Sequence, residues 1–200
     1  MRKDREDLRW EEVRTEHIVQ DEWIDFRKSA YRFPDGTEYE PYYTYSRRDY
    51  VVIVATDTEG NYICVRQFRY GINEVTTEFP AGGVERKDGK CYGERKVGVL
   101  SEDTLETAKR ELMEETGYVS DEWTHLLTVP SNATIADNYA YIYEAKNCRK
   151  VAEQNLDETE YLDVELHTAD EIESYIKSGD FQQAMHITAW YLSKNNGNNA

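Results

Sequence analysis

Apolar and polar residues alternate loosely through the first 50 positions of the chain. This alternation is typical of antiparallel strands with one covered face. Many of the apolar positions hold β-branched or aromatic side chains, which favour strands. Turn-forming residues at Pro34, Asp35 and Gly36 interrupt the pattern. We therefore expect three strands in this part, at residues 13–19, 23–33 and 39–45.

The pattern changes near residues 46–50, where short apolar runs replace the alternation. A continuous apolar run over residues 50–56 is typical of a buried central strand, and residues 62–68 are its expected hairpin partner. Further strands are predicted at residues 124–129, 139–144 and 161–166.

Three later segments place apolar residues at helical spacing. In the first, Leu105, Ala108 and Leu112 share one face, with Ser101 as the expected N-cap and Gly117 as the expected end. The pattern therefore predicts a helix over this segment.

The second helix is expected to begin with a capping box of Thr168 and Glu171 and to end at Gly179. Asp180 is the expected cap of the last helix, whose inner side would hold Phe181, Ala184, Met185, Thr188 and Leu192. The elements together predict an α/β fold with three parts: an N-terminal antiparallel β appendage over 1–48, a mixed domain over 49–195 and a disordered tail over 196–200.

Composition narrows the possible functions. The 200 residues include 24 Lys and Arg against 40 Asp and Glu, a net charge of −16, which disfavours binding to long nucleic acids or anionic membranes. No apolar run approaches the roughly 20 residues of a membrane span. The three cysteines show neither disulfide nor zinc spacing. These features predict a soluble cytoplasmic protein.

Glu111, Glu114 and Glu115 stand at positions i, i+3 and i+4 of the first predicted helix, on one side of it. Their oxygens are hard ligands of the kind that Mg²⁺ or Mn²⁺ prefers. The spacing alone favours a solvated acidic face, because such triplets are common in acidic proteins.

The neighbouring residues resemble a known signature. Glu102 is followed after seven residues by the run Arg-Glu-Leu-Met-Glu-Glu-Thr-Gly-Tyr, which begins at Arg110. This pattern resembles the second part of the signature of the Nudix hydrolase family. Lys96 stands where that signature has a glycine. The segment 78–85, Glu-Phe-Pro-Ala-Gly-Gly-Val-Glu, resembles the opening of the signature in the ADP-ribose pyrophosphatase branch, with Gly82 as its glycine and an insertion within residues 83–101.

The resemblance implies a Nudix fold, in which helices sandwich a mixed sheet, and the hydrolysis of a nucleoside diphosphate linked to another group. ADP-ribose or a related nucleotide sugar is the favoured substrate. The alternatives are another diphosphate, such as a dinucleotide or a GDP-sugar, and a non-catalytic sensor that binds a nucleotide. The implied cofactor is Mg²⁺ or Mn²⁺, two or three ions.

The resemblance also implies roles for individual residues. The implied metal ligands are Glu111, Glu115, Glu114 and the carbonyl of Ala81, with Gly82, Glu102 and Arg110 in support. The catalytic set comprises Glu111, Glu115 and a general base from the late acidic loop, where Asp157, Glu158 and Glu160 are available. We favour Glu158 as the base and Glu160 as a partner on the metal side. The expected substrate-binding residues are Arg69, Asn132 and Asp137.

Two further expectations concern surfaces. In the ADP-ribose pyrophosphatase branch, which this sequence resembles, the N-terminal appendage is exchanged between subunits. We therefore expect a homodimer. The insertion at residues 86–101 carries an excess of Lys and Arg in a strongly acidic chain. It is either a solvated hairpin or a basic rim that attracts small polyanionic substrates.

Overall fold

The computed structural model describes residues 8–85 and 103–196. Expectations that concern Glu102, the basic insertion and residues 197–200 lie outside the described residues. The chain divides into two compact units. Of the described residues, the first unit contains 8–48 and 130–138, and the second contains 49–85, 103–129 and 139–196. The segment 130–138 thus groups with the N-terminal strands, although the sequence pattern had placed it in the second domain.

The first unit is a three-stranded antiparallel sheet in the order β1-β2-β3, with β1 at Glu11–Gln20, β2 at Asp25–Arg32 and β3 at Glu38–Ser46. The turn before β2 is held by Asp21, whose carboxylate accepts the backbone N–H groups of Trp23 and Ile24. Gly36 adopts a positive φ of 87° between β2 and β3. The three expected strands are therefore confirmed as the N-terminal antiparallel sheet.

The described part of the second unit contains one eight-stranded mixed sheet. Its central order is β11-β5-β4-β10-β8, and β6, β7 and β9 pair with β5, β4 and β10. Strands β4 and β10 run parallel, whereas the other pairings of β4 and β5 are antiparallel. The strands are β4 (Tyr50–Asp57), β5 (Tyr62–Arg69), β6 (Glu74–Glu78), β7 (Ala81–Gly83), β8 (Tyr118–Val119), β9 (Glu122–Pro130), β10 (Tyr139–Lys150) and β11 (Leu162–His167).

Alternate residues of β4 enter two different cores, which shows that both faces of the sheet are covered. Val51, Ile53 and Ala55 pack with Ala108 and Leu112 of the first helix. On the opposite face the intervening valines pack in a second cluster with residues in and near the other two helices. Its members include Val52, Val54, Phe79, Ile172, Phe181, Ala189 and Trp190. The predicted Nudix-type arrangement, a mixed sheet between helices, is confirmed.

The helices are α1 (Thr104–Thr116), α2 (Ala169–Ser178) and α3 (Ala184–Asn196). The capping box of α2 and its end at Gly179 are confirmed. The prediction of Ser101 as the N-cap of α1 is wrong, because the side chain of Asp103 accepts the backbone N–H of Leu105 at that position. None of the helices in the described ranges is long and apolar enough to cross a bilayer.

Asp180 does not cap the last helix, and that prediction is wrong. Its backbone N–H donates to the carbonyl of Tyr175 at the end of α2, and its own carbonyl accepts the N–H of Thr77. Its carboxylate accepts a hydrogen bond from the hydroxyl of Ser178. Because these partners hold Asp180 outside a helix, α3 begins later. Its buried residues are His186, Ala189, Trp190 and Ser193, and Ala184 is exposed.

Candidate active site

Helix α1 buries two carboxyl groups at its flank. Ala108 and Leu112 point into the core, and Glu111 and Glu115, one helical turn apart, follow on the adjoining side. The exposed fraction is 6 % for Glu111 and 3 % for Glu115. Carboxylates are almost never this deeply buried without a partner, because their charge is stabilised by water. Their position therefore marks a site rather than a solvated face.

Strand β7 runs beside these carboxyl groups and contributes backbone atoms to the site. The backbone N–H of Ala81 donates to the carboxylate of Glu115 at 3.0 Å. A Cβ atom on Gly82 would overlap the carboxyl group of Glu111. Glycine is required here because the backbone approaches a side chain so closely. The segment that opens the expected signature thus packs directly against the helix that ends it.

Arg110 links the carboxylates of Glu111 and Glu114 at the more accessible end of the site. One of its terminal nitrogens lies 2.8 Å from Oε1 of Glu111, and the other lies 2.7 Å from Oε2 of Glu114. The first nitrogen also approaches the carbonyl oxygen of Gly83 at 3.4 Å. Arg110 therefore orients the carboxylates by ion pairing.

Burial changes the proton affinity of the two inner carboxyl groups. Desolvation raises the pKa of Glu111 to about 7, against the opposing effect of Arg110. Desolvation also raises the pKa of Glu115 well above its usual range, although the N–H of Ala81 acts in the opposite direction. Two adjacent buried acids of this kind have a strong tendency to bind a proton or a cation.

The donor set fits a divalent metal ion, because it consists of hard carboxylate oxygens beside a glycine that leaves room at the backbone. Within the described ranges, no three His, Cys, Asp or Glu side chains are already arranged around one metal position. Arg110 forms ion pairs with Glu111 and Glu114. A metal that took up these carboxylates would have to compete with the guanidinium.

The late acidic loop carries one carboxylate that acts electrostatically on this pair. The charge of Glu160 contributes, as one of the smaller causes, to the raised pKa of both Glu111 and Glu115. Glu160 also accepts the backbone N–H of Asp157 at 3.0 Å and thereby closes a turn. Glu158, at the exposed tip of this turn, is not among the main causes of either pKa shift.

The sequence of this site can be compared with known proteins. The family model of the NUDIX domain matches residues 46–190, which include every element of the site described above. The chain belongs to the Nudix family. It is a Nudix hydrolase, and the matched residues include the whole of helix α1.

Among known relatives, the methanol dehydrogenase activator of Bacillus methanolicus is 28 % identical over 172 residues, which is 82 % of each chain. The ADP-ribose pyrophosphatase of Bacillus subtilis is 28 % identical over 135 residues, 67 % of this chain and 65 % of that protein. A crystal structure described as an ADP compounds hydrolase superposes with a TM-score of 0.76 at 18 % identity, covering 94 % of this chain and 93 % of that one. The protein is therefore ADP-ribose pyrophosphatase-like in sequence and Nudix in fold.

A partly buried ion pair between Arg69 and Glu78 was not anticipated from the sequence. Arg69, predicted to bind substrate, donates through Nε to both carboxylate oxygens of Glu78 at 2.9 and 3.1 Å. Burial is the largest single influence and would raise the pKa of Glu78, but the hydrogen bonds from Arg69 and Thr76 together with the nearby positive charge outweigh it, and the pKa falls below its usual value. Arg69 also acts electrostatically on Glu115. The available signal was the position of Glu78 just before the Pro-Ala-Gly-Gly run.

His186 of α3 supports the same segment from the core. Its Nδ1 accepts the backbone N–H of Phe79 at 3.1 Å, so the ring is neutral with its proton on Nε2. Desolvation lowers the pKa of His186 to about 4. The residues after Glu78 are therefore fixed on one side by α3 and on the other by α1.

The other two predicted substrate-binding residues lie in the first unit. Asp137 accepts hydrogen bonds from Arg27 at 3.2 Å and from the hydroxyl of Ser46 at 2.6 Å. Asn132 stabilises the turn that precedes Asp137, because its backbone carbonyl accepts the N–H groups of Ile135 and Ala136. A cavity of about 500 Å³ in this unit is lined by residues that include Asp137, Arg27, His17 and Tyr31. Both residues therefore have structural partners within their own unit.

Proposed function

We propose that this Nudix hydrolase cleaves the diphosphate of a nucleoside diphosphate linked to another group, and that ADP-ribose or a related nucleotide sugar is its substrate. The observation that carries the proposal is the pair of buried carboxyl groups of Glu111 and Glu115 against the backbone of Ala81 and Gly82. The sequence similarity to an ADP-ribose pyrophosphatase supports the choice of substrate.

Mg²⁺ or Mn²⁺, two or three ions, is the proposed cofactor. Glu111, Glu115 and Glu114 would hold it, with the carbonyl of Ala81 and the carboxylate of Glu160. When bound, it supplies positive charge to the phosphate oxygens and lowers the pKa of the attacking water. Glu102 is proposed to support this ligand set.

Residues of the chain are proposed to position the carboxylates, bind the substrate and accept the proton of the attacking water. Arg110 keeps Glu111 and Glu114 in place, and Gly82 leaves room for the carboxyl group of Glu111. Arg69 is proposed to bind a diphosphate oxygen while Glu78 fixes its guanidinium. Glu158 is proposed to accept the proton of the attacking water, because it stands in the same turn as Glu160. Asn132 and Asp137 are proposed as further substrate-binding residues.

A homodimer is proposed on the basis of the first unit. Within the residues that the structure describes, β1 pairs with β2 along one edge, and its side chains are almost entirely exposed. Large apolar residues are exposed both in β1, at Ile18 and Val19, and beside it, at Trp10 and Trp23. Exposed strands with such residues are commonly covered by another chain. Light scattering of the wild type and of Ile18→Lys is the test, and a monomeric wild type contradicts the dimer.

A cytoplasmic location is proposed as well. Of the three cysteines, the two that lie within the described ranges, Cys64 and Cys148, are buried free thiols, as is usual in a reducing compartment. Cell fractionation with an antibody to the native protein tests the location, and recovery outside the cytoplasm contradicts it.

The enzymatic proposal is tested by a hydrolysis screen over nucleotide sugars, dinucleotides and GDP-sugars with Mg²⁺ and with Mn²⁺. We expect ADP-ribose or a close relative to give the highest kcat/KM. Glu115→Gln should reduce kcat by at least about 100-fold, because a metal ligand is lost. Preference for a dinucleotide would support the alternative substrate. Tight nucleotide binding without turnover at any metal concentration would support the sensor and contradict the enzyme.

A further inference from the structure

Two hydrogen bonds attach the start of the acidic loop, which follows β10, to the end of α1. The side-chain amide nitrogen of Gln154 donates to the backbone carbonyl of Glu115 at 2.8 Å. The backbone N–H of Asn155 donates to the carbonyl of Glu114 at 2.9 Å. The last carbonyls of a helix have no partners inside it. Residues 154 and 155 therefore complete the end of α1 and fix the start of the acidic loop at the same place.

The same amide also reaches the far end of the loop. The nitrogen of Gln154 lies 3.3 Å from the carbonyl oxygen of Leu162, the first residue of β11. An amide NH₂ has two protons and can serve two acceptors at once. One side chain thus ties both ends of residues 155–161 to the backbone of Glu115, whose carboxylate faces the site.

Within the loop, Glu160 is bonded to Asp157. Its backbone N–H donates to the carbonyl of Asp157 at 2.9 Å, and its carboxylate accepts the N–H of the same residue at 3.0 Å. The turn is therefore held from inside, and the way its ends are attached determines where it stands relative to α1.

We infer that Gln154 is a positioning residue that places the carboxylate of Glu160 beside Glu111 and Glu115. The inference rests on the proposed function, in which these carboxylates share a metal site. Gln154 touches neither metal nor substrate in this arrangement, and it acts through the hydrogen bonds that hold the loop. Its loss should therefore weaken metal binding without unfolding the protein.

The test uses Gln154→Met, which keeps the length of the side chain and removes both donors. We expect the Kd for Mn²⁺, measured by calorimetry on the full chain, to rise roughly 10-fold, the usual effect of removing a hydrogen bond behind a metal ligand. Asn155→Ala is the matched control, because its hydrogen bond to Glu114 comes from the backbone and persists. Gln154→Lys restores donors and should recover affinity.

Combination with Glu160→Gln separates positioning from general destabilisation. If Gln154 acts through Glu160, the double variant should bind Mn²⁺ no more weakly than Glu160→Gln alone. Additive losses, or wild-type affinity in Gln154→Met, would overturn the inference. Because Mn²⁺ binding needs no substrate, this outcome is distinct from a failure to find hydrolysis of any nucleotide.

Discussion

Nε of Arg69 lies 2.9 Å from Oε1 of Glu78, a carboxylate with no exposed surface. The hydroxyl of Thr76 donates to the same oxygen. The pair joins the end of β5 to the end of β6, which is separated by one residue, Phe79, from the Pro-Ala-Gly-Gly segment of the site. An arginine with its fork occupied in this way has one defined orientation.

Glu78→Gln should destabilise the protein, because the guanidinium of Arg69 would lose its charged partner. Removal of one member of a buried pair costs roughly 3–5 kcal/mol. Since about a third of the Arg69 side chain is exposed, we expect a smaller loss of about 2 kcal/mol in the free energy of unfolding. Urea denaturation measures it. Glu59→Gln, at an exposed turn, is the control, and equal stability of both variants would contradict the prediction.

Gly82→Ala should abolish turnover while the protein stays folded. The added methyl group would overlap the carboxyl group of Glu111 and displace it. A displacement of about 1 Å at a catalytic group can reduce the rate about 100-fold, and we expect at least that loss in kcat. Gly71→Ala is the control, because a methyl group there would meet open space. Unchanged kcat in Gly82→Ala would show that the close approach has no catalytic role.

His186 should make the protein sensitive to acid. The neutral ring is favoured in the folded chain, with a pKa lowered by burial to about 4, whereas the unfolded chain binds the proton near pH 6.5. Its contribution is complete above about pH 6.5 and is lost as the pH falls toward 4, by roughly 3 kcal/mol in total.

His186→Asn keeps an acceptor for the N–H of Phe79 and removes the titration. The difference in unfolding free energy between wild type and variant should therefore shrink from pH 7 to pH 4. Urea denaturation at three or four pH values measures it. A difference that does not depend on pH would contradict the assignment of a neutral buried ring.

Glu158→Gln and Glu160→Gln should have different kinetic signatures. Loss of a general base lowers kcat by about 10² to 10⁴ and leaves the metal concentration for half-maximal activity unchanged. Loss of a metal-side carboxylate raises that metal concentration. We expect the first result for Glu158 and the second for Glu160, measured in Mg²⁺ titrations of initial rates. The reverse pattern would exchange the two roles.

Local signals explain which helix boundaries were predictable. The capping box of Thr168 and Glu171 is formed by neighbours in sequence, and it was found at the expected place. Asp180 has the same chemistry as a cap, but its backbone is engaged by Tyr175 and by Thr77, which lies more than a hundred positions earlier. Sequence patterns contain no information about such a partner, and the start of α3 was therefore misplaced.

In the candidate site, too, the features set by neighbours in sequence were predictable and those set by distant partners were not. Helical spacing predicted that Glu111, Glu114 and Glu115 share one side of α1. Their burial is unequal because β7 covers Glu111 and Glu115, and that contact comes from the pairing of β7 with β4. The pair of Arg69 and Glu78 depends on the register of β5 and β6, in which Val65 stands opposite Glu78. Register across a hairpin was not predicted from the sequence, and the pair was missed.

The parallel pairing of β4 with β10 has a consequence for the order of folding. Both halves of the site, the β7 segment and helix α1, lie in the connection that joins these two strands. Closing so long a connection is entropically costly and slow, whereas the hairpin of β5 and β6 forms from neighbours. During refolding, the β5–β6 hairpin should therefore form first, and catalytic activity should return only when β4 pairs with β10. The time course of enzyme activity then measures the rate of this last long-range step.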